Sequence, residues 1–245
     1  MNCNIMKKLL LYSLLLGLML CSANDALAQR GKRIRISYRK AKNLVQKIKD
    51  NPQAETLYLF RNGLDSLPEE IGELKHLKRL VVSSNRLSYI PPVIGKLTNL
   101  EEISFKHNRI TSLPPEIGNL VNLKELYLDY NQLDSLPKEI GKLKNLEILE
   151  ITNNKLAHLP DEIGGLKSLE FLYIGTNLLH ELPASLGNLT NLIELNIANS
   201  GGLLQIPESI ENCHHLERLY VDQTTIFPYS YNRINPRLEI IIVSH

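Results

Sequence analysis

Aligned on Leu57, Leu80, Ile103, Leu126, Leu149, Leu172 and Leu195, the chain repeats at 23-residue intervals six times running, and the next step, to Leu219, is 24. A register held that long demands a stack of similar units, each packed on its neighbours, in place of one globular core. Leu126 and Leu128 lie two apart, so both point to one side of a short strand, while Glu125, Tyr127 and Asp129 point to the other. Leu133, Leu136, Ile140 and Leu143 then turn inward from the return segment. Burying the apolar set of one unit gains less than fixing all of its backbone costs, so a unit does not fold alone. A stack of them does, because neighbours share interfaces.

Within a unit, Leu123-Lys124-Glu125-Leu126-Tyr127-Leu128-Asp129-Tyr130-Asn131-Gln132-Leu133 fits L-x-x-L-x-L-x-x-N-x-L, and Leu136-Pro137-Lys138-Glu139-Ile140-Gly141-Lys142-Leu143 recurs almost verbatim in its neighbours. The sequence resembles the leucine-rich repeat family, in its LPxxIGxLxxL subtype of 23-residue repeats, known from bacterial, plant intracellular and Ras-scaffold-like proteins. The resemblance runs from about Ala54 to Val243 over eight units. It implies an α/β fold, a right-handed horseshoe solenoid with a parallel β-sheet on the concave face and short helical or 3-10 turns on the convex side. It further implies a concave face that binds other proteins.

Two columns of polar or small residues carry local expectations. Asn62, Asn85, Asn108, Asn131, Asn154 and Asn177 stand where each strand turns away, and an amide there satisfies backbone groups of its own and the adjacent unit. Ser200 and Thr224 replace Asn in the last units, beside Gly201-Gly202, which predicts a looser or distorted turn. Gly72, Gly95, Gly118, Gly141, Gly164 and Gly187 mark a place needing positive φ or close packing, and Glu211 breaks the series.

The ends depart from the repeat. Lys7 and Lys8, the apolar run Leu9 to Leu20 and Ala26-Leu27-Ala28 before Gln29 read as a signal peptide over residues 1–28. The apolar run is too short for a membrane span, so no span is expected in the mature chain. An exported bacterial protein, periplasmic or secreted, follows; the alternative is a lipoprotein anchored at Cys21, although Leu20 precedes it where lipoprotein signals prefer a small residue. A mature chain keeps only Cys213, hence no internal disulfide. Residues 29–53 predict a capping helix, with Ser37 before Ala41, Leu44, Val45 and Ile48, and Pro52 as its stop. Near 236–243, Leu238 to Val243 reads as a final strand closing the stack, with no second domain expected beyond it.

Function falls to the outward strand positions. On 32 such positions in eight units stand Tyr58, Phe60, Tyr127, Tyr130, Phe171, Tyr173 and Tyr220, where the composition puts about two aromatics, and exposed aromatics on a rigid sheet are interface anchors. Tyr127, Tyr130, Phe171 and Tyr173 fall in three adjacent units with Ile148; Glu125, Asp129, Glu150 and Glu194 edge the cluster, and Arg79, Lys106 and His107 precede it. The candidate partner-binding set is therefore Tyr58, Phe60, Tyr127, Asp129, Tyr130, Ile148, Glu150, Phe171, Tyr173 and Tyr220. Tyrosines that merely pack sideways across a sheet are the alternative.

Charge divides along the chain, with +8 from Gln29 to Asp50 and −8 from 51 to 228. Arg33, Arg35, Arg39 and Lys40 thus offer contact with an anionic envelope surface, and a component binding glycan or lipid is the second functional reading. The overall balance gives no reason for nucleic-acid binding. Cys213-His214-His215 takes core, exposed and exposed places in register, which argues against a metal or nucleophilic site. No G-x-S-x-G, phosphate-binding loop or H-E-x-x-H occurs. A non-enzymatic module without cofactor, metal or catalytic residue is expected.

Overall fold

In the computed structural model, residues 33–35 and 43–244 are described. The proposed signal segment, Cys21, Ser37, Arg39, Lys40 and Ala41 lie outside them. Ten parallel strands form one sheet in strict chain order. They are β1 (Arg33–Arg35), β2 (Thr56–Tyr58), β3 (Arg79–Val81), β4 (Glu102–Ser104), β5 (Glu125–Tyr127), β6 (Ile148–Glu150), β7 (Phe171–Tyr173), β8 (Glu194–Asn196), β9 (Arg218–Val221) and β10 (Glu239–Ile242). Each return segment from the β2 unit to the β8 unit holds a five-residue 3-10 helix, such as Pro115–Asn119 or Lys138–Lys142. The unit after β9 holds a shorter one, Tyr231–Arg233.

Register is exact along the repeat: Ile103 pairs with Leu126, Leu126 with Leu149 and Leu149 with Leu172. The inward residues therefore stack as continuous columns. Leu57, Leu80, Ile103, Leu126, Leu149, Leu172, Leu195 and Leu219 form one; Leu59, Val82, Phe105, Leu128, Ile151, Ile174, Ile197 and Val221 form the next, and all are fully buried. Cys213 is fully buried too, its thiol pushed up to about 12 by burial alone, while His214 and His215 are exposed.

The asparagine column ties unit to unit. Asn131 donates from Nδ2 to the carbonyls of Phe105 and Leu128, at 3.0 and 2.9 Å, and its Oδ1 accepts the Ile110 N–H at 3.1 Å. Asn108, Asn154 and Asn177 repeat this wiring one unit apart. An amide suits the place because it supplies two donors and an acceptor to buried backbone.

Four expectations are refined by the structure. The turn at Ser200 is distorted by an added left-handed residue, Leu203 at φ 55°, yet it stays tied to the neighbouring unit. The Ser200 hydroxyl donates to the Ile174 carbonyl at 2.6 Å, and its backbone carbonyl accepts the Leu179 N–H, so both cross-unit bonds of an asparagine survive. The recurrent glycines do not adopt positive φ; a Cβ on Gly118 would meet the Glu139 carbonyl oxygen of the next unit at 2.6 Å, and one on Gly95 the Glu116 oxygen at 2.7 Å. Close packing alone selects them. A left-handed residue lies immediately before each asparagine of the column and before Ser200, at Arg61, Ser84, His107, Tyr130, Asn153, Thr176 and Asn199, and Gly63 and Leu203 adopt the same region elsewhere.

The N-terminal cap is a strand followed by a helix. β1 pairs with β2, Ile34 opposite Leu57, and the helix α1 (Leu44–Asp50) buries Leu44 and Ile48 against the stack. At the other end β10 extends the sheet without closing it. Ile240 and Ile242 continue the two inward columns but are 38% and 61% exposed.

Candidate functional site

Opposite the core, the sheet displays three parallel columns of side chains, because residues one before, one after and three after each first strand leucine point outward. Register places Tyr127, Glu150 and Tyr173 side by side in one column. Strands ~4.8 Å apart put the two tyrosines ~10 Å from each other with the carboxylate between them.

Lys106 crosses this arrangement. It starts on the β4 unit, passes 4.5 Å from the centre of the Tyr127 ring, and pairs with Asp129 at 2.9 Å and with Glu150. An ammonium over a tyrosine face gains from the ring quadrupole as well as from the carboxylates. Burial lowers the Lys106 pKa, but the two acids outweigh it and hold it above the ordinary value. Burial and the neighbouring Asp129 push Glu150 up to about 7, with Lys106 pulling the other way. Tyr127 donates from its hydroxyl to Glu125 at 2.9 Å.

A second ion-pair group closes the far side. Arg218 binds Glu194 from both Nε and an Nη, each at 2.5 Å. Burial, then the charge of Glu194 and a hydrogen bond to it, raise the Tyr173 hydroxyl well above the usual phenol value. On the near side, Arg79 pairs with Glu102 at 2.5 Å. Tyrosines and charges on this face are thus locked by one another, giving a surface whose side chains are ordered before any contact is made.

Of the sequence candidates, Tyr127, Asp129, Glu150 and Tyr173 lie together around Lys106. Ile148 and Phe171 lie beside them in register but are only 4% and 5% exposed, so they serve as packed floor and not as projecting anchors. Asp129 is also buried, turned to Lys106 and to the Thr152 N–H of the next unit at 3.0 Å. Tyr130 is half exposed and stacks on His107, ring centres 4.3 Å apart. Tyr58 and Phe60 belong to the β2 unit, three strands from Tyr127, where the Arg61 guanidinium lies 5.1 Å from the Phe60 ring. Tyr220 stands two strands beyond Tyr173, beside Arg218.

Lys106, Arg79, Glu102, Glu194 and Arg218 were not among the candidates. Column alignment at 23 residues puts Lys106 next to Asp129, a signal present in the sequence. Its diagonal reach to Glu150, two units away, leaves none.

Among the described residues no helix is long and apolar enough to cross a membrane, and no group of three or more His, Cys, Asp or Glu side chains is placed to hold a metal ion. Two family models match: "Leucine-rich repeat region" over residues 111–226 and "Leucine rich repeat" over 75–133. No curated protein sequence matches. Among solved structures, the plant peptide hormone receptor RGFR1 in complex with RGF2 is 34% identical, with a TM-score of 0.70 over 78% of this chain and 32% of that one. The leucine-rich repeat ectodomain of the plant membrane receptor kinase GASSHO1/SCHENGEN3 from Arabidopsis thaliana, in complex with CASPARIAN STRIP INTEGRITY FACTOR 2, is 31% identical, with a TM-score of 0.56 over 81% and 28%. A leucine-rich repeat protein of Leptospira interrogans is 25% identical, with a TM-score of 0.42 over 90% and 75%. The chain spans less than a third of either plant receptor.

Proposed function

Because the chain belongs to the leucine-rich repeat family, we propose that it is an exported, non-enzymatic recognition module that binds a protein partner through the outward face of its sheet. The column Tyr127, Glu150, Tyr173 carries this reading. Amphipathic rings and a charge are presented there on a frame that needs no ordering on contact, so little of the interaction energy is lost to entropy. The two plant structures, each a complex, support a binding role by analogy of fold. Export rests on the sequence of residues 1–28.

A photo-crosslinking residue placed at position 127 is expected to give discrete protein adducts from a bacterial cell-envelope extract, and Tyr173→Ala is expected to abolish them without lowering the thermal midpoint appreciably. The same residue at Lys142, in a return segment, should give none. Equal adducts from both positions, or saturable binding to purified polysaccharide without any protein, overturns the reading.

A further inference from the structure

Two histidines meet on the flank of the solenoid, where the chain passes from the sheet to the 3-10 helices. The two places just before the buried leucine of the Leu-Pro step hold Asp134-Ser135 in the β5 unit, Ala157-His158 in the β6 unit and His180-Glu181 in the β7 unit. Glu181 is therefore the column neighbour of His158, and His180 lies diagonally beside it. The backbone under these side chains is pinned. The His180 N–H donates to the Ala157 carbonyl at 3.0 Å, Leu159 and Leu182 are buried, and Pro160 and Pro183 follow them with φ −68°.

The two imidazole centres are 5.3 Å apart, with their planes inclined at 53°. An ion ~2.0–2.1 Å from one nitrogen of each ring lies ~3.2 Å from each ring centre, so a tetrahedral angle at the ion separates the centres by ~5.2 Å. The separation in the structure meets that requirement. Glu181 Oε1 is 3.9 Å from His158 Nδ1, where two ligand atoms on one tetrahedral ion stand ~3.4 Å apart. The Glu181 side chain is 78% exposed, so the short swing that closes this gap disturbs no packing. Two ligands are thus in place and the third is one side-chain rotation short, which is why no complete group of three stands ready among the described residues.

We propose that His158, His180 and Glu181 form a surface site for a divalent transition-metal ion of the zinc and copper class, with water completing the coordination. Two imidazoles with one carboxylate select such ions, whereas magnesium and calcium call for oxygen donors. The ion clips the turn of the β6 unit to that of the β7 unit. This site is separate from the outward face, and neither reading depends on the other.

The test is calorimetric titration of zinc chloride into the full chain carrying no histidine tag. One ion per chain is expected, and zinc should raise the thermal midpoint because the ligands are brought together only by folding. His158→Ser and His180→Ala install the residues that Ser135 and Ala157 supply at the same places one unit earlier, so both variants should remain folded by circular dichroism. Each should weaken zinc binding at least about tenfold, and Glu181→Gln should weaken it less. His214→Ser, at the other pair of neighbouring histidines, should leave it unchanged. Copper(II) bound to the parent should show electron paramagnetic coupling to two nitrogens, and to one in either histidine variant. No saturable zinc binding below millimolar concentration, parent-like binding in both histidine variants, loss of binding in His214→Ser, or coupling to a single nitrogen in the parent would each overturn the proposal.

Discussion

A threonine in the left-handed region is costly, because its branched Cβ crowds the following carbonyl. Thr176 has φ 54°, while the equivalent Asn153 and Asn199 hold the same conformation with a residue that tolerates it. Thr176 is exposed, so Thr176→Asn loses little packing and should stabilise the chain by about 1 kcal/mol, read as a shift in the urea midpoint at constant slope. Glu150 gives the second residue-scale expectation. Its carboxyl holds its proton more tightly in the folded chain, up to about 7, than at the ordinary glutamate value of 4.5. The folded state therefore binds the extra proton between those values, and this group's contribution to stability is full below 4.5 and lost as pH rises through 7. Lys106 and Asp129, with Tyr127 on β5 and Tyr173 on β7, are the titratable groups facing it. Thermal midpoints from pH 5 to 8 should fall more steeply in the parent than in Glu150→Gln; identical slopes would refute the assignment. Of this coupling, the sequence displays the Lys106–Asp129 pairing and not the reach of Lys106 to Glu150. Lys106 and Glu150 are 44 residues apart and of types that do not repeat, so no period links them.

At the scale of the element, close approach of successive 3-10 helices is the feature that sets the return segments apart. Gly118→Ala should destabilise by about 1–3 kcal/mol, because the new methyl meets backbone of the next unit and has nowhere to go. Gly202→Ala, with nothing within 4 Å of the added atom, should be near neutral, both variants being compared with the parent by differential scanning calorimetry. Glu211 is tolerated at the corresponding place in the β8 unit because no five-residue helix follows it. The asparagine and leucine columns were readable in advance since each is one residue type at a fixed interval. The strand β1 was not read, although Ile34 stands 23 residues before Leu57 and so continues the column. Its flanking arginines masked it: a single apolar residue between two charges looks like a solvated tail, and only the pairing partner makes it a strand. How the Ser200 turn keeps its ties to the neighbouring unit is hidden from sequence for a related reason. The Ser200 hydroxyl is spent as a donor to Ile174, and the acceptor for the Leu179 N–H is the backbone carbonyl of Ser200, which sequence does not display.

For the whole molecule, stability is a sum over neighbours. Each unit touches the one before and the one after, and the sheet order never departs from chain order. The inner columns run through every unit, whereas the outward columns differ from one row to the next. Fold and proposed binding surface are therefore written in separate positions: framework residues recur in nearly every unit, whereas the column of Tyr127, Glu150 and Tyr173 also holds Val81, Ser104 and Asn196. That separation is why the architecture was plain from the sequence while the identity of the bound surface emerged only from adjacency. It also makes the solenoid a ruler. Duplicating one 23-residue unit between β6 and β7 would keep every framework bond in kind and move Tyr173 one strand, ~4.8 Å, away from Glu150. Spacing along the ligand is thus set by the number of repeats and not by the shape of any single one. A lineage could re-gauge such a face by gaining or losing a whole unit, leaving each remaining mark untouched.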